Sequence, residues 1–342
     1  MTRSHSRVLT GDNAGMKAPG QTRVMEKPSA TLWDYVSIAR LDYAIKHIFI
    51  VPGLLLALAL RKDAGALSLI GAGLTLLSCI LAASSNYVIN EWLDASFDAF
   101  HPGKSARPCV AKNMSGTIVL LEYLTLAGAA LLIASAVAHL VLYATIALLV
   151  AGLVYNLSPI RSKDVVVLDV LSEAINNPIR MVFGWAMVDP TTLPPGSTLL
   201  AYWMGGAFLM NTKRLAEFRD VLTKTSAQNL YQYRRSFRHY TEHRLIVASF
   251  FYALIAIGAV MIFIIKYRIE YVLAAPFLAA LFAVYLDLGL RPQSTAQAPE
   301  RLFREPLLMA SIATVAAVFV IFTFVDVPFL DQFVSAHYIR IR

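Results

Sequence analysis

The sequence predicts an all-α integral membrane protein, with about nine transmembrane helices around a central cavity open to the cytoplasmic side. Of 342 residues, 57% are hydrophobic and only 15% charged, too few charges to clothe a soluble globule of this size. Lipid is therefore the solvent for most of the surface. Windows of about 20 mostly apolar residues, enough to cross roughly 30 Å of hydrocarbon, recur along the chain. Three clusters of charged side chains interrupt this pattern, all on one side of the membrane.

The expected spans are 46–60, 67–90, 116–138, 139–155, 165–188, 199–211, 245–265, 272–288 and 307–325. The sixth is short, and Lys213, Arg214 and Glu217 can carry the same helix out of the membrane. Residues 1–28 are polar and basic and lack the apolar run of a signal peptide, which predicts a disordered cytoplasmic tail before a single transmembrane domain, 29–342. From Thr31, with Asp34 completing a capping box, Leu32, Tyr35, Val36, Ala39 and Tyr43 recur at helical spacing. That pattern predicts an interfacial helix leading into the first span.

A net charge of +8 would suggest nucleic acid in a soluble protein, but here no nucleic-acid partner is expected and the distribution matters more than the sign. With nine spans, the N-terminus and the loops after spans two, four, six and eight hold 22 Lys and Arg, and the opposite side six. This asymmetry puts the N-terminus and those loops in the cytoplasm. The expected location is a bacterial inner membrane. Two cysteines, Cys79 and Cys109, form no CxxC and no disulfide framework, and the sequence assigns no oligomeric state.

The first cluster lies where span two runs into NEWLDASFDAFHPGKSARP. Asn90, Asp94 and Asp98 stand at i, i+4 and i+8, so one helical face presents all three. Hard carboxylate and amide oxygens suit Mg²⁺, which keeps several waters and bridges one or two carboxylates to substrate phosphates. Asn90, Glu91, Asp94 and Asp98 are the candidate metal ligands. His101, Lys104 and Arg107 are placed to neutralise the same phosphates, Arg107 in bidentate fashion.

The second cluster begins at YNLSPIRSKD, with Tyr155, Arg161 and Lys163 as candidate substrate-binding residues. It continues into span five with Asp169, Glu173, Asn176 or Asn177, and Arg180. A charge at the bilayer centre costs about 2.5 to 3.5 kcal/mol, so these groups line a polar cavity or pair with one another, Glu173 with Arg180 being the pairing at hand. Pro178 disturbs the helix there. The third cluster, NTKRLAEFRD, sets Lys213 and Glu217 one turn apart beside Arg214. Topology lets all three clusters converge on one cavity, with Lys46 at the start of span one joining them or snorkelling. Asp94, Asp98, Asp169 and Glu173 are the candidate catalytic carboxylates.

The run Asn90, Glu91, Asp94, Asp98, His101, Pro102, Lys104, Arg107, Pro108 resembles the NDxxDxxxD signature of the UbiA superfamily of intramembrane prenyltransferases, with Glu91 in place of the usual Asp. The nine-span count is similar too, from about Trp33 onwards. The usual second DxxxD of aromatic prenyltransferases is only approximated by DVLSE, Asp169 to Glu173. KRLAE followed by YRRSFRHYTEHRL, with HPxK after Asp98, looks like the branch that makes decaprenylphosphoryl-5-phosphoribose, although NNPIR stands where a glycine-containing stretch is expected. That resemblance implies that Asn90, Asp94 and Asp98 hold Mg²⁺ on a diphosphate, while Lys213, Arg214 and Glu217 bind the sugar-phosphate portion. It implies transfer of 5-phosphoribose from phosphoribosyl diphosphate to a polyprenyl phosphate. The rivals are prenyl transfer from a prenyl diphosphate to an aromatic or other lipid acceptor, and a non-enzymatic transporter, which the lack of an evident internal repeat disfavours.

Overall fold

The computed structural model describes residues 27–61, 68–101, 103–224, 227–297 and 299–330. The expected tail therefore lies almost wholly outside the described residues, as does the side chain of Lys46. The elements are α1 (Leu32–Ile38), α2 (Val51–Leu60), α3 (Leu69–Asp98), α4 (Pro108–Ala111), α5 (Gly116–Val137), α6 (His139–Asn156), α7 (Leu168–Ala174), α8 (Asn176–Ala186), α9 (Gly196–Lys224), α10 (Ala227–Tyr233), α11 (Glu242–Tyr267), α12 (Ala275–Leu290) and α13 (Pro306–Phe324). Short 3₁₀ turns join several of them, and no strand occurs among the described residues.

Among the described residues, six helical segments are long and apolar enough to cross a membrane: Leu69–Asp98, Gly116–Val137, His139–Asn156, Glu242–Tyr267, Ile269–Leu290 and Pro306–Phe324. The other three expected spans are helical but of different build. The first is a short apolar helix, His47–Leu60, opening in a 3₁₀ turn. The fifth is split into α7 and α8, because Pro178 has no N–H to give the Ala174 carbonyl. The sixth extends well beyond 199–211 as α9, whose last turns carry Lys213, Arg214 and Glu217. Its charges lower its apolarity, not its length.

The capping box forms as expected: the Thr31 N–H donates to Asp34 Oδ2 at 2.7 Å. The helix it starts is shorter than the apolar spacing suggested, ending at Ile38 before Arg40 enters the left-handed region at φ 50°. Leu32 and Trp33 on α1 are exposed, as an interfacial helix requires.

The two largest apolar cores among the described residues lie on either side of the bundle's centre. In one, small residues of α3, α5 and α6, among them Ala82, Ala130, Ala134 and Ala144, let the backbones close up. The other centres on Phe208, Tyr252, Tyr285 and Ala256 of α9, α11 and α12. The seam between α2 and α8 is tighter still. A Cβ on Gly53 would lie 2.0 Å from the Met181 carbonyl oxygen, and one on Gly184 2.0 Å from that of Ile50, so both positions exclude any side chain. Large apolar residues such as Leu132, Phe250 and Phe324 face outward, as they do in lipid.

Candidate active site

A cavity of 1060 Å³ runs between these cores, with walls from α2, α3 and α6 to α13. One end is charged. The other is walled by Pro52, Leu56, Phe263, Leu281, Phe282, Val315 and Phe319. Such a space takes a charged head group and a hydrocarbon chain together.

The last turns of α3 form the charged end, where the four-residue spacing brings Asn90, Asp94 and Asp98 to the cavity wall. Asn86, one turn earlier, continues the row: its Nδ2 donates to the Leu148 carbonyl at 2.8 Å, while its buried Oδ1 has no hydrogen-bond partner among the described residues. Each carboxylate already leans on a base. Arg161 reaches Asp94 Oδ1 at 2.8 Å and Lys163 reaches the same oxygen at 2.5 Å, while Arg107 bonds Asp98. Lys163 also bonds Asn156 Oδ1 at 2.5 Å, and burial pushes its ammonium down to about 8 against the pull of Asp94. Arg161 achieves its reach from a left-handed backbone at φ 30°, a strained conformation held by its surroundings.

Could this row hold a metal? Among the described residues no three His, Cys, Asp or Glu side chains come close enough to cage one. The donors present are the hard oxygens of Asn90, Asp94 and Asp98, beside the orphaned Asn86 Oδ1. That set fits an ion bound through one or two carboxylates and completed by water and phosphate, as Mg²⁺ is.

The facing wall comes from α6, α7, α9 and α10. Glu173 accepts from Tyr155 Oη at 3.1 Å, is bonded by Arg214, and has Lys213 Nζ at 3.7 Å. Arg214, buried, also reaches Glu217 Oε2 at 3.2 Å. Glu217 accepts from Tyr233 Oη at 2.8 Å and has His101 and Lys104 each at 3.5 Å, so α9 is tied to the segment following α3. Burial lowers Lys104 from its ordinary range, partly offset by Glu217.

Thus Asn90, Asp94, Asp98, His101, Lys104, Arg107, Tyr155, Arg161, Lys163, Glu173, Arg180, Lys213, Arg214 and Glu217 all line one cavity. Glu91 and Asp169 do not. Glu91 sits one residue round the helix from Asn90, is buried, and pairs with Arg40, whose Nε donates to it at 3.0 Å. Asp169 accepts from Ser236 Oγ at 3.0 Å and Tyr240 Oη at 2.6 Å, and so anchors the segment after α10 from behind the wall. The Glu173 to Arg180 pairing is replaced by Glu173 to Arg214. Sequence reasoning left out Asn86, Asn156, Tyr233 and Arg234, which share the lining. Asn86 was signalled by the same four-residue spacing. Tyr233 and Arg234 stood in the YRRSFRHY run without an assigned role.

The cavity thus joins a charged end to an apolar one inside a bundle of apolar helices. The chain is a member of the UbiA prenyltransferase family, whose family model matches residues 48–312, and is therefore a transferase. Among solved structures, a UbiA homolog from Archaeoglobus fulgidus bound to DMAPP and Mg²⁺ shares the fold with a TM-score of 0.63 at 18% identity, covering 85% of this chain and 100% of that one. The same homolog bound to GPP and Mg²⁺ gives 0.63 at 19%, over 85% and 99%. A digeranylgeranylglyceryl phosphate synthase gives 0.58 at 12%, over 85% and 98%. No curated protein matches the sequence. At these identities the likeness to solved structures is one of fold. Membership in an enzyme family removes the transporter alternative.

Proposed function

We propose that this protein is a Mg²⁺-dependent transferase that moves 5-phosphoribose from phosphoribosyl diphosphate to a polyprenyl phosphate, working from the cytoplasmic side of a bacterial inner membrane. The observation that carries this reading is the engagement of the second acidic motif. Asp169 stands behind the wall, 3.7 Å from Arg214 and 3.8 Å from Arg234, and Glu173 is bonded to Arg214 beside Lys213 and Tyr155, so this wall presents a mixed-charge surface. Alternating carboxylate, guanidinium, ammonium and phenol groups suit a molecule that carries both hydroxyls and a phosphate.

Mg²⁺ held by Asn90, Asp94 and Asp98 would supply charge neutralisation for the diphosphate. Arg107, Arg161 and Lys163 stand beside those carboxylates to receive the phosphate oxygens. In the transfer, the bond between the anomeric carbon and the diphosphate oxygen breaks and its electron pair leaves with the diphosphate. A lone pair on the lipid phosphate closes the new C–O bond, turning a phosphomonoester dianion into a diester monoanion with no proton transferred. Helices around the cavity keep water from the cationic carbon while the prenyl chain stays in apolar surroundings.

The second reading is prenyl transfer to a lipid or aromatic acceptor, favoured by the Archaeoglobus fulgidus relatives bound to DMAPP or GPP with Mg²⁺. Proteoliposomes decide between them. With labelled phosphoribosyl diphosphate and a polyprenyl phosphate, lipid-linked phosphoribose is the expected product. Consumption of a prenyl diphosphate with an acceptor, and no phosphoribose in the lipid fraction, gives the answer to the second reading.

A further inference from the structure

The bases at the charged end lean on carboxylates: Arg107 on Asp98, Arg161 and Lys163 on Asp94, Arg214 on Glu173. Arg180 does not. It lines the cavity from α8 and is 7% exposed, yet among the described residues it forms no ion pair, and its buried Nε has no hydrogen bond. The backbone beneath it is fixed, because α8 meets α2 through Gly53 and Gly184 in the seam that starts one residue later, at Met181.

Its depth is informative. Arg180 lies within electrostatic reach of Tyr87 and Cys79 on α3. Met181, the next residue, meets Gly53 of α2 beside Pro52 and Leu56, so Arg180 stands on the apolar-chamber side of the carboxylate row. A cation buried there without a counter-charge is unstable unless an anion arrives to meet it. A guanidinium matches a phosphate through paired N–H donors.

The diphosphate has its own bases at the carboxylate row, and the sugar phosphate has those of α9. The anion still without a partner is the head group of the lipid. We propose that Arg180 is the docking residue for the phosphate of the polyprenyl phosphate, with the chain running on past Phe263, Phe282 and Phe319. This deepens the phosphoribosyl reading and rests on it, since a lipid that carried the diphosphate would put its head group at Asp94 and Asp98.

The test uses full-length protein in nanodiscs without any sugar donor. Thermal shift and calorimetry measure farnesyl phosphate, farnesol and Mg²⁺ with pyrophosphate. The expected result is that the wild type binds farnesyl phosphate far better than farnesol, and that Arg180→Gln weakens the phosphate by roughly tenfold or more while the pyrophosphate response stays. Wild-type affinity for farnesyl phosphate in Arg180→Gln overturns the proposal. If that variant loses the pyrophosphate response through misfolding, Arg180→Lys takes its place. Keeping the charge without the fork, it is expected to weaken farnesyl phosphate by about threefold or more, and unchanged binding there overturns the proposal equally. Because no donor is present, the two claims separate. Arg180-dependent lipid binding without phosphoribosyl transfer by the wild type removes the functional reading and keeps the docking residue, and turnover with Arg180-independent binding does the reverse.

Discussion

Neighbouring acids on one helix have different fates here. Asp94 and Asp98 face the cavity beside bases that a phosphate would claim, whereas Glu91, one and three residues from Asn90 and Asp94, is buried against Arg40. Asp94→Asn and Asp98→Asn are expected to lower turnover by about 10²- to 10³-fold and to abolish the thermal shift produced by Mg²⁺ with pyrophosphate. Glu91→Ala should keep that shift. Its cost is stability, about 3 to 5 kcal/mol, because a buried ion pair with Arg40 is broken. A melting experiment with and without Mg²⁺ and pyrophosphate reads both effects.

Asp189, in the loop after α8 and 3.2 Å from Arg61 Nε, shows what hydrogen bonding does to a buried acid. Burial opposes its charge, but the Thr191 and Thr192 hydroxyls at 2.6 and 2.5 Å, the Thr191 N–H and the nearby Arg61 outweigh that and hold it at about 2. Its folded pKa lies below the ordinary 3.8, so its contribution is complete above about pH 4 and is lost as pH falls towards 2. Melting curves of Asp189→Asn should therefore be flatter than wild type over that window, and converge with it at the acid end.

Among elements, the α2 to α8 seam sets the position of the cavity wall. Gly53→Ala and Gly184→Ala each force a methyl group into a carbonyl oxygen, and about 1 to 3 kcal/mol of destabilisation is expected in denaturant titrations. The damage should reach Arg180, since α8 has nowhere else to go. The segment after α10 is held differently, by Asp169 through Ser236 and Tyr240. Tyr240→Phe leaves an acceptor short inside the protein and is expected to cost about 1 kcal/mol. Hydrogen exchange should quicken over 233–240, and Mg²⁺ with pyrophosphate should still bind, because Asp169 does not touch the cavity.

At the scale of the whole molecule, orientation follows from basic residues and not from any one contact. Leu193→Cys, on an exposed position of the loop after α8, is expected to react with an impermeant thiol reagent added to intact cells. Lys112→Cys, on the loop that follows the carboxylate row, should react only after permeabilisation. The opposite pattern would turn the site away from the cytoplasm.

Hydropathy made the membrane class plain, because lipid demands long apolar helices wherever the chain crosses it. The four-residue spacing of Asn90, Asp94 and Asp98 also marked one face of α3 without any structure, since helical periodicity is local. Elements whose polar residues serve the cavity were harder to read: α9 proved far longer than its apolar stretch, and the fifth span broke at Pro178. Partner choice was not legible at all. Spacing placed Glu91 with the metal row and offered Glu173 a pairing with Arg180 as the alternative to lining a cavity, but helix rotation gave Glu91 to Arg40, and the approach of α9 gave Glu173 to Arg214. The sequence by itself determined a multi-pass helical membrane protein with an acidic row and many bases. Only the tertiary structure decided which charges neutralise one another and which, like Arg180, are left facing the cavity, because ion pairing depends on how separate helices meet and not on their order in the chain.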